Sequence, residues 1–232
     1  MKRDQANKAG FTLIEVLVVI SIIGVLAGLV GVLINKARSS QLETSTQQLV
    51  KTTLPMKIEM YRQEMGRYPA STISGLQKAG GKNKLWKNVT TQDGNDINQS
   101  VEVLIVQLRH PDFSKRLQDD ELGSIDPATD NVDEDEFTEQ PAGSEDSAAI
   151  ELLDAWGNPL IYIYNGDYDK VFQVTNARGE TVEVSALKKP NGTFYNPNKF
   201  QIISLGENGK QEIEGDPDLW DDVHNFSPVA GE

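Results

Sequence analysis

From Val16 to Ile34 the chain runs for 19 residues without a charge, inside a longer apolar stretch, FTLIEVLVVISIIGVLAGLVGVLI, that begins at Phe11. As a helix those residues rise roughly 28 Å, about the thickness of a bilayer's hydrocarbon core. The core helix of a soluble domain shows a polar face at a period of 3.6, and this stretch has none. It reads as a membrane segment. A secretory signal peptide would explain the basic start (Lys2, Arg3, Lys8) and the small residues Ala27 and Gly28. Against that, the apolar run continues past Ala27, and Glu15 sits one turn inside it. A plain single-pass anchor explains the length but gives Glu15 no purpose. A carboxylate near a bilayer centre costs about 2.5–3.5 kcal/mol, and even near the helix end it needs a partner.

A third reading accounts for both oddities. Gly10-Phe11-Thr12-Leu13-Ile14-Glu15 resembles the processing signature of type IV pilins and type II secretion pseudopilins. The resemblance implies that a prepilin peptidase cuts between Gly10 and Phe11 and methylates the new amino terminus of Phe11. Glu15 would then pair with the α-amine of a neighbouring subunit, since a buried acid requires a positive partner. That pairing would set the axial step of a helical homo-polymer.

Beyond Asn35 the pattern changes. Leu42, Thr46, Leu49, Val50, Leu54, Ile58 and Tyr61 recur at mostly helical spacing, with Lys, Glu and Gln between. One long helix is predicted, kinked or loosened at Pro55 and ended at Gly66, with Pro69 soon after. The run Val101–Leu108 has the length of a strand or a short helix, and periodicity does not separate the two. Residues 118–147 carry twelve acids and no Lys or Arg. Such a composition buries too little apolar surface to offset its ordering entropy, so a flexible, solvated acidic insertion is expected, with a cation- or partner-binding role as the alternative. Strands are predicted after Gly157-Asn158-Pro159, at Val171–Val174, Thr181–Val184 and Phe200–Leu205, with turns at Asn165-Gly166 and Asn191-Gly192. The expected architecture is α+β, a long N-terminal helix packed on a small antiparallel sheet. Its parts are a leader (1–10), a membrane or filament-core helix (11–34), an amphipathic continuation (35–66), a connecting region (67–117), the acidic insertion (118–147) and a sheet head with a C-terminal loop (148–232).

Three further patches resemble the major pseudopilin, the general secretion pathway protein G type. They are Tyr61 to Pro69 with Gly75-Leu76-Gln77, Asp154-Ala155-Trp156-Gly157-Asn158-Pro159, and Ser204-Leu205-Gly206 followed by Asp221-Asp222-Val223-His224-Asn225-Phe226. Ala155 stands where that family has proline. The last patch implies a loop binding one Ca²⁺, an ion that takes six to eight oxygens. Carried over, the ligands would be the Leu205 carbonyl, the Asn208 amide oxygen and the Asp221 and Asp222 carboxylates. Asn208 replaces an aspartate, and extra residues follow Gly209, which makes Asp216 and Asp218 plausible substitutes. The resemblance further implies minor pseudopilins, an inner-membrane secretion platform and its ATPase as partners, with the head in the periplasm. A type IV pilus subunit is the close alternative. A membrane-anchored extracytoplasmic binding protein is the alternative from another class.

Composition narrows the field. The 35 acidic against 22 basic residues give a net charge of -13, which argues against a nucleic-acid partner. With no cysteine there is no disulfide to pin the C-terminal loop, so a metal clip is the other device for ordering it. His110 and His224 are the only histidines. Gly75–Lys82 fails the phosphate-loop spacing, and neither H-E-x-x-H nor G-x-S-x-G occurs. Asp93-Gly94-Asn95-Asp96-Ile97-Asn98 has the composition of a calcium loop but lacks its sixth-position glycine and twelfth-position acid. A structural subunit is expected, not an enzyme.

Overall fold

The computed structural model describes residues 13–79, 89–92, 94–118, 131–141, 147–212 and 221–226, the side chains of 25 and 27–36 excepted. The chain divides into two units, Met1–Leu42 and Glu43–Glu232. In the first, helix α1 (Leu13–Gln48) begins with Glu15 in its opening turn. The five consecutive apolar side chains from Val16 to Ile20 are all about half exposed, so no face of that stretch is a polar one turned to water. Among the described residues no helix is long and apolar enough to cross a membrane. The expected membrane stretch, 11–34, falls partly outside them.

In the second unit α1 passes into a π-helical turn, Leu49–Thr53, and then into α2 (Leu54–Met65), which carries Pro55 in its first turn. The missing proline N–H is thus accommodated by a locally widened helix, as the sequence predicts. Gly66 ends α2 in the left-handed conformation (φ 75°), its N–H bonded to the Arg62 carbonyl. Helix α3 (Ile73–Ala79) follows, and then α4 (Gln99–Arg109), which settles the ambiguous run as a helix. Every residue of α4 from Ser100 to Leu108 is buried.

Five strands follow among the described residues: β1 (Ile161–Tyr164), β2 (Val171–Thr175), β3 (Thr181–Ser185), β4 (Phe200–Ser204) and β5 (Val223–His224). They form two antiparallel sheets, β1-β4-β5 and β2-β3, where one was expected. After Tyr164 a 3₁₀ turn at Asn165–Asp167 takes the chain out of the first sheet, and β2 pairs onward with β3, Phe172 opposite Val184. Strand β4 takes the place beside β1, Ile161 opposite Ile203.

The first sheet lies between two cores, so side chains of both parities on β1 and β4 are buried. Leu160, Tyr162, Phe200 and Ile202 pack with Val50, Leu54, Ile58 and Tyr61 and with Leu104 and Leu108 of α4. Ile161, Ile163 and Ile203 pack with Phe172, Val174 and Val184 of the second sheet. Tyr162 donates its hydroxyl to the Pro69 carbonyl (2.9 Å), and Gln107 exchanges two hydrogen bonds with the Ala70 peptide (both 2.9 Å). These bonds close the helix–head junction around the Tyr-Pro element.

The acidic stretch departs from expectation. Residues 131–141 are held against the head through short bridges, Thr91 with Phe137 and Glu136 with Ala148. Phe137 is 1% exposed, in a third core with Leu76, Val103 and Val106. One aromatic in the run supplies the apolar burial that the average composition conceals. Residues 119–130 and 142–146, also expected in the insertion, lie outside the described residues.

Candidate functional site

Gly10 and Phe11, the expected processing pair, lie outside the described residues. Glu15 lies in the first turn of α1 and is exposed, where a carboxylate complements the positive helix end.

The C-terminal loop is built at the end of β4. Leu205 is fully buried, and its carbonyl accepts the Gly209 N–H at 3.2 Å. Gly206 and Gly209 both have positive φ (61° and 68°), which bends the loop back on itself. Three amide side chains pin it: Asn158 donates to the Gly206 carbonyl (2.7 Å), Asn176 to the Gly209 carbonyl (3.0 Å), and Gln211 bonds Ser185 in both directions. The returning segment joins β4 through β5, with Ser204 opposite Val223.

Between the two arms sit three carboxylates, Glu212, Asp221 and Asp222, with one oxygen from each inside a 4.8 Å group. Asp221 Oδ2 accepts the Asn208 N–H (2.7 Å), Asp222 Oδ2 accepts the Glu212 N–H (3.0 Å), and Glu212 Oε2 accepts the Asp221 N–H (2.9 Å). The second oxygens, Asp221 Oδ1 and Asp222 Oδ1, are buried without a hydrogen-bond partner among the described residues. Burial pushes the Asp222 carboxyl above its ordinary range, with His224 opposing. Burial and then repulsion from Asp221 and Asp222 push Glu212 the same way. Converging oxygens that repel one another fit a hard divalent cation.

Of the residues expected there, the structure brings Asp221 and Asp222 together. Leu205 lies at the loop's start. Asn208 turns its Nδ2 to Glu212 (3.0 Å), and its Oδ1 accepts the Lys210 N–H (2.7 Å). Asp216 and Asp218 lie outside the described residues. Sequence reasoning missed Glu212, the first acid after the Gly209 turn; that position was the available signal.

Two of the sequence patches meet behind the loop. Asp154 Oδ1 accepts the backbone N–H groups of Trp156 and Asn158 (both 2.9 Å), and Asp154 Oδ2 accepts the Ser204 hydroxyl. Ala155 donates its N–H to Thr46 Oγ1 at 3.0 Å, a bond that proline at that position could not make.

Residues 5–31 match the family model of the prokaryotic N-terminal methylation motif. No curated protein and no solved structure matches the chain significantly.

Proposed function

We propose that this chain is a type IV pilin-like precursor of the pseudopilin kind. Its leader ends at Gly10, and its mature product begins at N-methylated Phe11. The methylation motif over residues 5–31 carries the reading, because it runs directly into a helix with Glu15 in its first turn and apolar side chains on all sides. Such a helix is covered by lipid before assembly and by copies of itself afterwards. The head then lies in the periplasm, with the subunit anchored by a single pass in the inner membrane. Processed subunits stack into a periplasmic pseudopilus that drives protein export. Minor pseudopilins and an inner-membrane secretion platform are the partners this reading requires.

The type IV pilus subunit is the second reading. The lack of cysteine and the three-carboxylate C-terminal loop favour the pseudopilin, because a metal clip replaces the disulfide as the way to order that loop. Glu212, Asp221 and Asp222 would hold Ca²⁺ there, and the two unbonded aspartate oxygens supply the fit. When bound, the ion would tie the returning segment to the end of β4.

The test is intact mass and N-terminal sequencing of the membrane-extracted protein, with and without a co-expressed prepilin peptidase. The expected product starts at methylated Phe11. A chain that keeps Met1, or is cut beyond Ala27, overturns the proposal. Glu15→Ala should leave membrane insertion intact and abolish fibres; normal fibres would remove the amine partnership.

A further inference from the structure

Away from the C-terminal loop, α4 buries an acid that nothing among the described residues neutralises. Asn98 stands at its N-cap in the left-handed conformation (φ 58°), and Glu102 follows one turn later, 0% exposed. Neither Glu102 oxygen has a hydrogen-bond partner among the described residues. Beyond burial itself, the groups that act on it most are Asp135, Glu151, Asp133 and Asp96, all acids.

The surrounding contacts hold these groups in place. Asp133 and Asp135 come from residues 131–141 of the acidic stretch, and each accepts Asn95 Nδ2 through its Oδ2 (3.1 and 3.4 Å). Their Oδ1 atoms are buried and unbonded. Asn131 clamps the Asp135 peptide, accepting its N–H (3.2 Å) and donating to its carbonyl (2.8 Å). Behind them Glu151 accepts Asn98 Nδ2 (2.9 Å) and the Val132 N–H (3.0 Å). Carboxylate oxygens of Glu102, Asp133 and Asp135 lie within 4.8 Å of one another.

We propose that Glu102, Asp133 and Asp135, backed by Glu151, form a second divalent-cation site, and that the ion is calcium. Four oxygens stand ready: both of Glu102 for a bidentate contact, and Oδ1 of each aspartate. All the donors are oxygen, which selects a hard cation over zinc or copper. Their 4.8 Å spread suits oxygens around one ion at about 2.3–2.6 Å from each, with waters filling the remaining positions. An acidic loop without a ligand turns its carboxylates to water, whereas this one turns two of them, Asp133 and Asp135, inward onto the buried Glu102. Without an ion, like charges crowd against the fully buried Glu102. A bound cation relieves that repulsion and ties residues 131–137 to α4. Residues 131–137 then become a calcium-held part of the head surface.

The experiment is equilibrium dialysis of Ca²⁺ and thermal melting of the full chain in detergent at pH 7.5. The parent carries Asp221→Asn and Asp222→Asn, so the C-terminal loop contributes nothing. That parent should bind one Ca²⁺ with Kd in the range of about 10⁻⁵–10⁻³ M and melt higher with the ion than with chelator. Adding Glu102→Gln should weaken binding by about tenfold or more and abolish the melting shift, while the ion-free protein melts no lower than the parent, because a repelled acid has become an amide. Asp133→Asn, outside α4, should reproduce the loss of binding. A parent that binds no Ca²⁺, or binding untouched by both variants, overturns the site. Neither result bears on processing at Phe11.

Discussion

Ser204 and Asp154, fifty positions apart, share a buried hydrogen bond of 2.7 Å that joins the end of β4 to the turn preceding β1. Asp154 also accepts two backbone N–H groups, so its removal orphans three donors at once. Asp154→Ala should cost about 3 kcal/mol of unfolding free energy, and Ser204→Ala about 1–2 kcal/mol. Urea denaturation of both and of the double variant checks this. Additive losses would mean that the two side chains do not act as a pair.

Gly206 is fixed by contact as well as by conformation. A Cβ there would strike the Asp221 carbonyl group and lie 2.7 Å from its Cγ. Gly192 also has positive φ (81°) but open space around it. Gly192→Ala should cost about 1 kcal/mol for the left-handed backbone alone. Gly206→Ala should cost about 3 kcal/mol or more and loosen β5, read as faster amide exchange at Val223. Equal costs would deny the close approach.

The C-terminal loop should respond to calcium on its own. In a Glu102→Gln chain, Ca²⁺ at 100 times its Kd should stabilise the protein by about 2.7 kcal/mol, and chelator should reverse it. Asp222→Asn added to that chain should remove most of the gain. A melting temperature unmoved by calcium in the Glu102→Gln chain would take the metal out of this loop.

His110 gives a pH dependence of known sign. It is 2% exposed, and its Nδ1 accepts the Asp112 N–H (3.1 Å). Burial lowers its pKa below 6.5, and the nearby Asp112 carboxylate only partly opposes this. The unfolded chain therefore takes up the proton first, and stability falls as pH drops through 6.5 toward the folded value. Asn presents an acceptor where Nδ1 stood, so His110→Asn should flatten that part of the profile. Thermal melts between pH 7.5 and 5 measure the difference, and parallel profiles would refute it.

How much was legible in the sequence depended on how local the cause was. Gly66 as a helix end and Pro55 as a disturbance follow from a single residue's backbone chemistry, and both are where the sequence puts them. The four longer strands were legible, but their partners were not, because the 3₁₀ turn after Tyr164 redirects β2 without a Gly or Pro signal beyond Asn165-Gly166. Asp154 and Ser204 each sat in a patch that was singled out, yet nothing local says the patches touch. Glu102 was hidden for the opposite reason. It is the sole charge between Val101 and Leu108, inside a run whose length alone was informative. A lone acid in a segment too apolar to face water implies a buried partner. Phe137 carries the same lesson for the acidic stretch, where an average concealed one anchoring ring.

The π turn at Leu49–Thr53 also sets the phase of the helix around it. Thr46, Val50, Leu54 and Ile58 are all buried, at a strict step of four. On an uninterrupted α-helix each such step gains about 40°, so by the fourth residue the row would have wound well around the axis. The wider turn absorbs that drift and keeps the row on one side. Wound as an ordinary α-helix over these same residues, the segment would place Thr46 about 80° out of line with Leu54 and about 120° out of line with Ile58. The most regular helix this segment can form is therefore one that does not fit its own core.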